Sequence, residues 1–257
     1  MESKKEIDDI NLRGYSREKV LARYNNAKGL RPAEEVLFSK FKESIEGKKI
    51  LDIGIGGGRT TDHLFPLAGK YVGIDYAKPF ANMVATKYPE AEIYHCDARD
   101  MSIFEDSNFN FVLFSHNGID TLNLEGRMKA LMEVWRVLKS GGTFMFSSHN
   151  RGYKNIRKMP WQAGTPWSVK HAKRCVMALL YYPRHLKMLK YEADNAGYSI
   201  INDTGHRFSL MTYYSDPDFQ REQLVELGFH NVTSHNETGV EVESDTNDLA
   251  LFYLATK

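Results

Sequence analysis

Between Lys49 and Ser148 short apolar runs alternate with segments whose apolar residues recur every three or four positions. Lys49–Ile53, Tyr71–Ile74, Glu92–His95, Phe109–Ser115 and Thr143–Ser148 read as strands. Helical patterning fills the gaps up to about Leu67, over Pro79–Tyr88 and over Arg127–Leu138, where Leu131, Val134, Trp135 and Leu138 share a face. Ser140, Gly141 and Gly142 stop the last of these helices. The run Thr143–Ser148 has almost no polar alternation, as expected of a strand buried on both faces. Strand and helix in strict alternation predict an α/β fold, a mostly parallel sheet with helices on both faces.

The flanks follow other patterns. Residues 1–14 are polar and charged and are expected to be loose. A helix is predicted over residues 16–28, opened by Ser16 and closed by Gly29, and a second from Pro32 to Gly47. Residues 149–215 break the alternation, with one helix expected from Ser168 to Tyr191, interrupted near Pro183. Asp218–Leu227 reads as a helix ended by Gly228, and Phe229–His235 and Leu249–Thr256 as two last strands, a hairpin inserted at the sheet edge. The expectation is one domain over residues 1–257 with seven strands, the last antiparallel. It divides into a helical cap (1–48), an α/β core (49–150), an insertion (151–215) and a terminal helix with two strands (216–257).

Composition narrows the class. A chain of 257 residues with 42% hydrophobic and 12% aromatic residues is not disordered throughout. No stretch approaches the roughly 18 apolar residues of a membrane span. The opening MESKKEIDDINLRGY has no apolar core, so no secretory signal is read there. Cys96 and Cys175 are the only cysteines, which leaves no disulfide framework and no cysteine zinc site. A cytoplasmic location is expected. His63, His95, His206, His230 and His235 show no ligand spacing, and no metal is expected.

Chemistry concentrates at Leu51-Asp52-Ile53-Gly54-Ile55-Gly56-Gly57-Gly58-Arg59-Thr60, a glycine turn between a strand and a helix. Glycines there permit a tight turn and bring a ligand against bare backbone. Asp75 ends the second strand about 20 residues on, where a carboxylate can accept from both hydroxyls of a ribose. Asp97 follows the third strand and can accept from an adenine amino group. A dinucleotide is the competing ligand, but Arg59 stands where its fingerprint has a third glycine, and Asp97 has no part in that fingerprint.

LDIGIGGG, VGIDYA, CDARDM, NFVLFSHNGID and RVLKSGGTFMFSSHN, in that order, resemble the class I S-adenosylmethionine-dependent methyltransferases, a family that includes small-molecule and sugar methyltransferases. The resemblance covers residues 49–150 and implies a Rossmann-like fold with S-adenosylmethionine (SAM) as cofactor. It implies that Asp52, Gly54, Gly56 and Gly58 line the methionine half of SAM, with Asp75 on the ribose and Tyr76 beside the adenine. Asp97 and Ala98 would meet the adenine edge, with Met101 as an apolar wall. Ser115, His116 and Asn117 would lie nearest the sulfonium. Tyr15, Arg23 and Tyr24 of the cap would cover the cofactor, an arginine being able to pair with its carboxylate. Methyl transfer needs alignment and desolvation, and a hydroxyl acceptor gains from a general base. His116, Asp120 and His149 are the candidate bases. The acceptor is expected to be a small polar molecule such as a sugar, methylated on oxygen or nitrogen. A lipid-linked acceptor at a membrane surface and a non-catalytic SAM-binding subunit are the alternatives.

Residues 151–190 hold ten Lys or Arg and no Asp or Glu, interleaved with Tyr153, Trp161, Trp167, Tyr181 and Tyr182. Acids crowd instead into residues 216–248. Three readings are open: a lid whose cations attract an anionic acceptor, a helix lying on an anionic membrane with Val176, Met177, Leu179 and Leu180 dipping in, or a solvated face or homodimer contact. Nucleic acid is not expected as a partner, because the basic run is short and no RNA-binding module accompanies it.

Overall fold

The computed structural model describes residues 2–162 and 168–257, with side chains from Ile7 onward, so Trp167 lies outside the described residues. The chain opens with four helices, α1 (Glu2–Tyr15), α2 (Glu18–Asn25), α3 (Pro32–Lys40) and α4 (Lys42–Ile45). The alternating core follows as β1 (Lys49–Ile53), α5 (Thr61–Leu64), β2 (Lys70–Asp75), α6 (Lys78–Lys87), β3 (Glu92–His95), β4 (Phe109–Phe114), α7 (Leu124–Val137) and β5 (Leu138–Asn150). Then come α8 (Val169–Met188), β6 (Ala193–Asn195), β7 (Tyr198–Ile201), β8 (Thr212–Ser215), α9 (Pro217–Glu226), β9 (His230–His235) and β10 (Ala250–Thr256).

The first five strands are parallel in the order β3-β2-β1-β4-β5, β10 runs antiparallel along β5, and β9 antiparallel along β10. These seven are the strands and the terminal hairpin that the sequence predicts. The sheet holds ten, however, because the insertion adds β6, β7 and β8. β8 pairs parallel with β5 only at His149 and Asn150. β10 already occupies one edge of β5 as far as His149, so β8 must take the other edge, which β4 leaves open beyond Phe114. The insertion therefore continues the sheet above the end of β4.

Of residues 1–14, expected to be loose, residues 2–14 form α1 with Tyr15. Its anchors are tertiary. Ile7 is buried against Ile200, Met211 and Tyr213. Asn11 donates to the Thr121 carbonyl at 2.7 Å and the Met211 carbonyl at 3.0 Å, and accepts the Met211 N–H at 2.9 Å. Helix α8 passes through Pro183 without a break. Ser168 caps it by accepting the His171 N–H at 3.1 Å.

One ion pair lies where the core meets the added region. Arg127, on the buried face of α7, is fully enclosed and donates to Asp120 Oδ1 at 2.7 Å, to Ser148 Oγ at 2.9 Å and to Gln220 of α9. Its guanidinium also stacks 4.7 Å from the Tyr213 ring. Removing it strands a buried carboxylate. Arg127→Met is expected to cost about 3–5 kcal/mol in denaturant unfolding; a loss under about 1 kcal/mol would show that water or a rearrangement satisfies Asp120.

Candidate functional site

Residues that follow β1, β2, β3 and β4 gather at one edge of the sheet, because parallel strands all end there. A cleft opens at that edge. It is lined by Gly54, Gly56, Asp75, Tyr76, Asp97, Ala98, Ser115 and His116, together with Tyr15 and Tyr24 of the cap. The loop glycines have structural reasons. Gly56 has φ +52°, and a Cβ there would come within 3.2 Å of the Tyr24 ring. A Cβ on Gly57 would strike the Tyr24 carbonyl at 2.3 Å. Bare backbone thus lets the cap close on the loop.

Asp75 is buried at the end of β2, and its oxygens accept the N–H groups of Gly56 at 2.9 Å and Ala77 at 2.8 Å. Burial pushes its pKa up to about 6 against those bonds. Next to it the Tyr76 hydroxyl is buried without a partner. Asp97 is chelated by Arg99, with Nη2 on Oδ2 at 2.7 Å, and Arg99 also pairs with Asp8 of α1. Tyr15 meets Tyr24 and Tyr76 edge-on, with centroids 6.0 and 6.4 Å apart. Tyr24 in turn meets Phe80 at 5.4 Å and His116 at 5.8 Å.

Several expected ligand contacts are placed elsewhere. Asp52 lies under the loop, lining neither the cleft nor the groove beside it. Its Oδ2 accepts the hydroxyls of Thr60 at 2.6 Å and Tyr71 at 2.9 Å, while its Oδ1 has no partner. Gly58 likewise faces Tyr88 and Val84 rather than the cleft. Met101 is a core residue. Arg23 is exposed on a groove along the outer side of the loop. Ser115 lines the cleft, but its hydroxyl donates to Glu34 and accepts from Arg59 at 3.0 Å.

Glu34 and Arg59 escaped the sequence reading. Glu34 is fully buried, takes the Arg31 N–H at 2.8 Å in a capping box, and binds Arg59 Nη2 at 2.7 Å. Burial alone would raise its pKa, but the Arg59 fork holds it below the ordinary value. This pair ties α3 to the glycine loop. Its signal was Arg59 itself, which breaks the dinucleotide pattern. His206, read as structural, completes the aromatic lid, with its ring 5.4 Å from Tyr15.

The three candidate bases separate. His116 has a left-handed backbone (φ 54°), as does Asn117 (φ 57°), a strained geometry that turns the chain away from β4. Protein packed around the ring, with Arg31 and Arg59 near, holds its pKa well below the ordinary histidine value, so it is neutral at pH 7. Asp120 is not open to a ligand. It is buried, paired to Arg127, and its Oδ2 accepts both the backbone N–H and Nδ1–H of His149 at 2.7 Å. That fixes the tautomer, so Nε2 carries the lone pair and accepts from the Asn117 amide at 3.1 Å. His149 lines a second cavity of about 380 Å3, walled largely by the insertion and shared with Tyr214, Asn202, Arg157 and Arg174. His116 and His149 therefore do not converge in one pocket; they face two, and Asn117 stands between them.

Residues 51–146 match the family model of the methyltransferase domain. A probable S-adenosylmethionine-dependent methyltransferase of Mycolicibacterium smegmatis is 27% identical over 120 residues, 46% of this chain and 44% of the relative. A ubiquinone biosynthesis O-methyltransferase of Hydrogenovibrio crunogenus is 29% identical over 126 residues, 46% of this chain and 49% of the relative. The chain spans less than half the length of these two curated relatives. The crystal structure of a SAM-dependent methyltransferase of Thermotoga maritima, a possible histamine N-methyltransferase, has the same fold. It superposes with TM-score 0.55 at 14% identity, over 96% of this chain and 99% of that one.

The pKa of Asp52 is pushed up to about 6 by burial. The folded protein therefore takes up a proton there that the unfolded chain takes up only near pH 4. Stability from this group is full below pH 4 and is lost as pH rises through 6. Asp52→Asn removes the penalty. Its stability gain over the native protein is expected to be on the order of 3 kcal/mol larger at pH 8 than at pH 4; a difference independent of pH would contradict the assignment.

Proposed function

Because the chain belongs to the class I S-adenosylmethionine-dependent methyltransferase family, we propose that it moves a methyl group from SAM in the first cleft to an oxygen or nitrogen of a small polar molecule in the second cavity. The observation that carries this reading is Asp75. It is a buried carboxylate whose oxygens each spend one lone pair on a backbone N–H and keep another for the vicinal hydroxyls of a ribose. Burial of a charge without such a ligand is costly, and the unpartnered Tyr76 hydroxyl beside it is a second polar group in want of one. Tyr76, Phe80 and Ala98 offer apolar surface to an adenine, Gly54 and Gly56 offer bare backbone to the amino-acid end, and exposed Arg23 offers a cation at the neighbouring groove. SAM supplies, when bound, an electrophilic methyl and a neutral thioether leaving group.

On the acceptor side, His149 is the residue equipped to take a proton. Its Nε2 carries the lone pair, which an acceptor hydroxyl reaches by displacing the Asn117 amide, and the Asp120 carboxylate stands against Nδ1–H to stabilise the imidazolium once formed. The left-handed turn at His116 and Asn117 brings the donor cleft and the acceptor cavity to a common wall. The aromatic lid of Tyr15, Tyr24 and His206 excludes water from the donor side. A sugar or comparable metabolite hydroxyl fits this polar cavity.

Calorimetry and a methyl-mass-shift screen of metabolites test the two halves separately. Asp75→Ala is expected to weaken SAM binding by about 10- to 100-fold, the loss of charge-assisted hydrogen bonds; unchanged affinity would refute the ribose assignment. His149→Ala is expected to lower turnover about 100-fold or more with SAM affinity held within about twofold. Equal loss of both would make His149 structural.

A further inference from the structure

Helix α8 has no apolar covering on one side. Val169, Val176, Leu179, Leu180 and Leu186 are 89%, 61%, 60%, 65% and 53% exposed. At 3.6 residues per turn they fall in one arc, opposite the buried face of His171, Ala178 and His185. Lys170, Lys173 and Arg184 run along one flank of that arc with Arg174 behind them, and Lys187 sits within it on a stem long enough to reach past the leucines. The helix contains five Lys or Arg and no acid. No described helix is long and apolar enough to cross a membrane. A surface helix with a wide apolar stripe and a purely cationic flank is the pattern of a segment that lies in the plane of a bilayer.

We infer that α8 docks the protein on an anionic phospholipid surface, with Val176, Leu179 and Leu180 in the acyl boundary and the lysines among the headgroups. Charge complementarity selects this occupant. A second copy of the chain laid on the same face would set five cations against five with no acid from either helix. The flank is also continuous with the second cavity. Lys170, Lys173, Arg174 and Arg207 line a groove of about 250 Å3 with no acid in its wall, and Arg174 lines the cavity of His149 as well. The inference does not rest on the methyl-transfer reading, since vesicle binding is read without SAM.

The test is co-sedimentation of the full chain with vesicles of equimolar phosphatidylcholine and phosphatidylglycerol, and with phosphatidylcholine alone. Binding is expected on the anionic vesicles only, and is expected to fall steeply with salt. Leu179→Glu with Leu180→Glu is expected to abolish it, and Lys170→Glu with Lys173→Glu to weaken it about tenfold or more. Val225→Glu, an exposed apolar site on α9, should bind as the native chain does. Unfolding midpoints establish that each variant is folded, which is expected because every altered side chain is exposed. Failure to pellet with anionic vesicles would overturn the inference. So would native-like binding by the double leucine variant, or a dimer that this variant dissociates in light scattering while the native chain ignores lipid.

Discussion

The arrangement of the second cavity depends on a carboxylate that cannot leave its place. Asp120 is buried in the turn after β4, where an unpaired charge would be severely penalised. Arg127 resolves that penalty, and in doing so it draws together α7, the end of β5, α9 and the Tyr213 ring of β8. The second carboxylate oxygen then has one direction left, and it fixes His149 by both its backbone and its ring. The orientation of the imidazole is thus a consequence of charge burial several residues away. A buried pair of this kind is poor evidence for stability in itself, but it leaves very few alternative packings.

The first cleft uses the opposite device. Among the described residues Asp75 makes no ion pair; its charge is held by two backbone N–H groups and left partly uncompensated. Closure of the cap over this site is electrostatic as well as aromatic. Glu34 of α3 grips Arg59 of the glycine loop in a fork, and Ser115 joins them from the end of β4. Loop, cap and strand end are therefore tied together beside the cleft.

The features legible in the sequence were those written in contiguous residues. β1 with its glycines, Asp75 at the end of β2 and the buried run of β5 each declare themselves within a dozen positions. What stayed hidden depends on distant partners. Helix α1 is polar over most of its length, and its place comes from distant partners: Ile7 and Asn11 meet residues some 200 positions away, and Asp8 pairs with Arg99. The strands β6, β7 and β8 are three or four residues each, too short for a period to emerge, and are paired through a turn at Gly197 (φ +80°) and the vacant edge of β5. Asp120 is legible as an acid near the site, but its pairing is not, because Arg127 looks like any solvent-facing residue of an amphipathic helix. Asp52 was similarly placed by its neighbours in the sequence, whereas Thr60 and Tyr71 bury it beneath the loop.

The most direct measurement is a structure of the protein grown with S-adenosylhomocysteine. The account predicts the ribose hydroxyls on the Asp75 carboxylate, the adenine between Tyr76 and Ala98, and the sulfur turned toward His116 and Asn117. A nucleoside bound elsewhere, or an Asp75 carboxylate that makes no contact with it, would contradict the account at its base.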